Sequence, residues 1–123
     1  MQTIVAITTK ELWGKSQRAG EYTRSTITQT LEEVGFIHCT EPSQTMEIVT
    51  RFKDETDVLF LLIETDMLMS PLKFEAAKSG RAGLFPHIYG PLNLDAVYQV
   101  LEVQRDQNND FIAPPALSAL IAK

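Results

Sequence analysis

Six side chains carry most of the chemistry in this sequence: His38, Thr40, Gln44, Glu75, His87 and Tyr89, with Tyr22 and Arg24 as further candidates. His38 and His87 are the only 2 histidines among 123 residues. Imidazole titrates near neutral pH and can donate or accept a hydrogen bond, so each can move a proton or hold a ligand. Each sits in an apolar run, "GFIHCT" or "LFPHIYG", where a buried strand would ordinarily place core residues. In the second run, strand alternation puts His87 and Tyr89 on one face and Ile88 on the other. An imidazole beside a phenol makes a polar wall for ligand hydroxyls or for an aromatic ring. In "LKFEA" the same alternation groups Lys73 with Glu75, and a carboxylate there can steady a cationic transition state at a sugar carbon. Structural readings weigh against each of these. A histidine ring can bond a backbone carbonyl, a tyrosine hydroxyl can find a backbone partner, and Glu75 can belong to a solvated face.

Other constellations fare worse. Phosphate-loop, dinucleotide-fingerprint, zinc-protease, paired-cysteine and nucleophile-elbow motifs are absent. Cys39 alternates away from His38 in an extended segment, which argues against a Cys–His nucleophile pair and for a buried, inert thiol. His38, His87 and Glu75 are metal-ligand types, but their spacing does not demand a metal and none is expected. Net charge is −5, from 16 acids against 11 bases. An acidic chain without a basic cluster lacks the footprint of a nucleic-acid binder. The single cysteine precludes an internal disulfide and makes the cytoplasm the natural setting. The N-terminus lacks the pattern of a signal peptide, and the longest apolar run, "VLFLLI", is too short to span a bilayer.

These side chains need a scaffold, and 44% hydrophobic residues in a chain of this length can build one domain. "TIVAIT" reads as a buried strand, followed by a Thr8/Glu11 capping box, a helix from about Thr9 to Arg18 and a stop at Gly20. The threonine-rich stretch after it resolves into a short helix at Leu31 and Val34, before Gly35. "GFIHC" is a strand. Thr40 or Ser43 caps a helix running to about Phe52, with Met46, Val49 and Phe52 on one face. "KDETD" is a polar connection. "VLFLLIE" lacks alternation and so is buried on both faces. "LKFEA" is a strand, "AKSGRAG" a flexible loop, and "FPHIYG" a strand whose proline near its start favours a sheet edge or a strand beginning. A turn over Pro91–Ala96 leads to a strand from Val97 to Val103. A polar loop and a short C-terminal helix follow. Helices gather early and strands late, which predicts an α+β domain with a mostly antiparallel or mixed sheet. The domain spans 1–105, and 106–123 form an extension packed on it or trailing from it.

With these residues in place, "W…GEY", "GFIHCTEPSQ", "LFLLIETDMLMSPLKFE" and "LFPHIYGPLNLDAV" resemble the small bacterial family labelled domain of unknown function 952, from about Ile4 to Val103. That resemblance implies an ADP-ribosyltransferase-like fold: a split, mostly antiparallel β core with flanking helices and a cleft that grips NAD in the enzymes. It implies a transferase or glycohydrolase related to ADP-ribosyltransferases, a nucleotide ligand and NAD as cofactor. Such chemistry needs a polar group on ribose, aromatics around nicotinamide and a glutamate near the sugar carbon. Glu75 and His38 are then the catalytic candidates, and Tyr22, His38, Thr40, Gln44, His87 and Tyr89 the ligand-binding ones. The family often carries a first-strand histidine where this chain has Ala6. Three readings follow: an enzyme acting on NAD, ADP-ribose or another nucleotide; a small-ligand binding or regulatory module without turnover; and an interaction domain whose histidines are satisfied internally. The first two require His38 and His87 to face one concave surface.

Overall fold

The computed structural model describes residues 2–77, 80 and 82–122. The first strand, β1 (Thr3–Thr9), is buried along its whole length. Thr9, rather than Thr8, caps the helix α1 (Lys10–Ala19), its hydroxyl accepting from the Leu12 N–H at 3.3 Å. The strand carries one residue further than the capping pattern predicts, and Thr8 is fully buried within it. Gly20 ends α1 in the left-handed conformation, as expected for glycine.

A short strand, β2 (Glu21–Tyr22), leads to α2 (Leu31–Val34), held by a capping box between Thr30 and Glu33. Next come β3 (Ile37–His38) and α3 (Pro42–Val49), the latter continued by a 3-10 turn over Thr50–Phe52. Neither Thr40 nor Ser43 caps α3. Pro42 opens the helix, so Glu41 takes the capping position, and Gln44 reaches back to accept its N–H at 2.8 Å. The remaining strands are β4 (Val58–Glu64), β5 (Leu72–Ala76), β6 (Leu84–Ile88), β7 (Leu92–Asn93) and β8 (Val97–Glu102). The helix α4 (Pro115–Ile121) closes the chain. Part of the glycine-containing loop after β5, namely Lys78, Ser79 and Arg81, lies outside the described residues.

The result is one α+β domain built on antiparallel sheets: β1-β4-β8, β3-β6-β5 and the pair β2-β7. Ile4, Ala6, Leu61 and Ile63 from the first sheet meet Ile37, Cys39 and Ile88 from the second in one apolar cluster. The opposite face of β1 and β4 packs Val5, Ile7, Phe60 and Leu62 against Val49 of α3 and Leu117 of α4. Leu117 is wholly buried, so the C-terminal extension is part of the core.

β6 corrects the expectation of an edge strand or of a proline at a strand beginning. It is the central strand of its sheet, with Pro86 in its middle. The Cys39 N–H donates to the Pro86 carbonyl at 3.0 Å, and Pro86 has no N–H to return. The β3–β6 ladder therefore stops there, and the chain turns to β1. Thr40 and Val5 exchange reciprocal backbone bonds of 2.8 Å each, which joins the two three-stranded sheets. A proline is tolerated in this central strand because the neighbouring chain leaves at that point.

Candidate functional site

Alternation along three adjacent strands builds one wall. Phe36 and His38 of the β3 segment, Phe85, His87 and Tyr89 of the β6 segment, and Lys73 and Glu75 of β5 share a sheet face. His38 and His87 are directly opposite partners in the β3–β6 ladder. Their ring centroids lie 5.4 Å apart, edge to face. The sequence expectation that both histidines serve one concave surface holds: both line a cleft of about 280 Å³. That volume sits at the small end for small-molecule sites.

Val5 and Ile7 of β1 line the same cleft, with Ile48 of α3, Arg51 and Phe52 beyond it, and Ser25, Thr26 and Gln29 from the loop before α2. One side is thus apolar and aromatic, while hydroxyls, an amide and a guanidinium occupy the rest. Ala6 points the other way, into the apolar cluster between the sheets.

His87 is buried and His38 is exposed. The Phe36 ring stacks on His87, with centroids 4.1 Å apart and planes 22° apart, and also touches His38 and Tyr89 at 4.7 and 5.3 Å. Glu75 Oε1 accepts from the Tyr89 hydroxyl at 2.5 Å and from His87 Nδ1 at 2.8 Å. These bonds, the tyrosine's first, hold the Glu75 carboxyl below the usual carboxylate range despite some desolvation. Reciprocally, donation to Glu75 pushes the Tyr89 phenol up. Lys73 Nζ rests 4.8 Å from the centre of the Tyr89 ring. His38 is held on its other side: Ser25 Oγ lies 2.9 Å from Nδ1, and the His38 N–H donates to the Ser25 carbonyl at 3.0 Å.

The other sequence candidates separate from this centre. Thr40 lines the cleft, but its hydroxyl bonds Thr45 Oγ1 at 2.7 Å. Gln44 does not line it. Its amide spans the Glu41 N–H and the Leu84 carbonyl, tying α3 to β6. Tyr22 is a core residue at 1% exposure, near Trp13, and burial pushes its phenol up. Arg24 supports its own loop, donating to the Ile27 carbonyl at 2.9 Å. Glu75 and Tyr89 flank His87 on the same sheet face but are not among the residues that line the cleft. Among the described residues no group of three acidic, histidine or cysteine side chains could hold a metal.

Phe36, Ser25, Arg51 and Phe52 are site residues that the sequence reading passes over. For Phe36 the signal is present, because "F-x-H-x-T" puts it on the face of His38 and Thr40. Ser25 and Arg51 arrive through tertiary packing and carry no local signal.

The model of a family described as "Protein of unknown function (DUF952)" matches residues 7–100. The chain belongs to that family. The crystal structure of protein CC0527 from Caulobacter crescentus superimposes with a TM-score of 0.80 at 25% identity, covering 94% of this chain and 98% of that one. The solution structure of CC0527 gives a TM-score of 0.74 at 25% identity, with both chains fully covered. No curated protein matches this chain. The α+β architecture of this DUF952 member is therefore shared with solved structures. No helix among its described residues is long and apolar enough to cross a membrane.

Proposed function

We propose that the cleft binds NAD, ADP-ribose or another nucleotide and supports ribosyl-type transfer or hydrolysis, on a fold related to the ADP-ribosyltransferases. The observation that carries this reading is the pairing of His38 with His87, both lining a cleft that also holds aromatic rings and Arg51. Such a cleft offers stacking surface for a base, hydrogen bonds for a sugar and a cation for a phosphate. Two antiparallel sheets joined at Val5–Thr40, with the cleft beside the junction, also suit the split core that the fold analogy implies. Fold analogy alone assigns no chemistry. At about 280 Å³ the cleft suits one nucleoside better than a whole dinucleotide, so the rest of NAD would lie toward the open side.

One observation favours the second reading, a small-ligand binding module without turnover. Glu75 is absent from the cleft lining and its Oε1 is bonded to His87 and Tyr89, which supports a structural use of that carboxylate over a place beside a sugar carbon.

Thermal unfolding with NAD, ADP-ribose, AMP and nicotinamide tests the proposal, on wild type and His38→Ala. A ligand that binds only the folded state adds about 1.4 kcal/mol for each tenfold concentration above Kd. A melting temperature that rises with log concentration in wild type and not in His38→Ala supports the site. No response to any of the four refutes a nucleotide ligand. A response without release of nicotinamide from NAD selects the binding module.

A further inference from the structure

The geometry points to His87 as the general base of the cleft, acting through Nε2, with Glu75 and Tyr89 as positioning residues. The inference rests on the nucleotide reading only for the identity of the substrate. An ionised carboxylate has no proton to donate, so at the 2.8 Å contact His87 Nδ1 must donate to Glu75 Oε1. That selects the Nδ1–H tautomer of the neutral ring and leaves the lone pair on Nε2. Glu75 lies outside the cleft lining while His87 lies within it. The proposed orientation turns the opposite ring edge, which carries Nε2, to the cleft. Stacking by Phe36 and burial to 4% exposure restrict rotation of the ring. The Tyr89 hydroxyl bonds the same carboxylate oxygen and fixes its position in turn. A base held by an orienting carboxylate is the arrangement that activates an oxygen nucleophile in acyl transfer, and the logic does not depend on the fold.

With NAD as substrate the step balances without another reactant. His87 Nε2 takes a proton from a water whose oxygen bonds the ribose C1′ next to nicotinamide. The C1′–N bond breaks, and its electron pair leaves with the ring nitrogen, which loses its positive charge. ADP-ribose, neutral nicotinamide and a protonated imidazole result, and the proton passes to solvent.

Histidine nitrogen NMR reads the tautomer directly in the intact, unliganded protein, at about pH 8.5, well above imidazole titration. Wild type is expected to show a protonated Nδ1 and a bare Nε2 at His87. Glu75→Gln, whose amide oxygen still accepts, should keep that pattern, and Glu75→Ala should lose it. A protonated Nε2 in the wild type overturns the assignment, whatever the variants do. The second readout is nicotinamide release from NAD. Glu75→Ala and His87→Ala are each expected to lower kcat by about 10²–10⁴-fold, while the NAD-induced melting shift persists. Unchanged turnover in His87→Ala also overturns the assignment. If NAD neither shifts the melting temperature nor reacts, the nucleotide reading fails separately, and the tautomer alone decides whether His87 is poised as a base.

Discussion

Replacing Phe36 by leucine tests whether the ring cluster at the cleft is as tightly organised as its geometry indicates. Phe36 is 7% exposed and touches His38, His87 and Tyr89, with the closest contact a stack on His87. Leucine keeps an apolar side chain of roughly similar volume, so the packing penalty alone should stay below about 1.5 kcal/mol. Loss of the ring contacts adds about 0.5–1.5 kcal/mol for the stacked pair, with less from the two tilted ones. The total is about 1–3 kcal/mol, which lowers the melting temperature of a chain this size by roughly 4–12 °C. Thermal unfolding by circular dichroism measures that change. Proton NMR supplies an independent readout, because a ring stacked at 4.1 Å shields the His87 ring protons. In Phe36→Leu those resonances should move downfield, while the strand amides of β4 stay in place. An unchanged melting temperature together with unmoved His87 resonances would refute the stacked arrangement and, with it, the claim that Phe36 restricts the His87 ring.

Leu117→Ala should destabilise by about 2–5 kcal/mol, because it opens a cavity where α4 meets the sheet; a denaturant midpoint equal to wild type would show that the C-terminal extension is dispensable. The depressed Glu75 carboxyl sets an acid-side dependence. A group whose folded pKa is lowered contributes stability that is fully present above the ordinary carboxylate value of about 4.3 and disappears as pH falls through the folded value. Glu75→Gln should flatten that acid limb of a melting-temperature profile, and an unaltered profile would contradict the Tyr89 and His87 bonds. Burial pushes the Cys39 thiol up. An aromatic disulfide reagent should therefore label it only at the rate of unfolding, and rapid labelling of the native protein would disprove its burial.

Much of the site was legible in the sequence because period-2 alternation specifies faces without knowledge of the fold. It grouped His87 with Tyr89 and Lys73 with Glu75, and those groupings stand in the structure. The strands "VLFLLIE" and "LKFEA" coincide with β4 and β5 for a related reason: unbroken apolar runs and clean alternation are both strong local signals. Pairing between segments distant in the chain is not local. The place of Pro86 in a central strand depends on where β3 departs, about 47 residues earlier, and a proline by itself argues only for an edge or a strand beginning. Tyr22 and Gln44 look like ligand-binding types, yet one fills the core and the other spans two backbone groups. Residue type cannot distinguish these uses. The approach of Ser25 to His38 is fixed by a loop whose backbone bonds form only when β3 is in place.

The reciprocal Val5–Thr40 bonds have a mechanical consequence. They fasten the two sheets where β1 meets the end of β3, and Val5 and Thr40 both line the cleft. Any rocking of one sheet on the other must stretch this clasp first, so its two amides should exchange hydrogen for deuterium faster than those deep in the β1–β4 ladder. An occupant touching both walls would damp that motion. Slowed deuterium uptake at Val5 and Thr40 would thus register occupancy even for a molecule that reacts with nothing. The clasp makes the protein its own strain gauge, readable before its substrate is known.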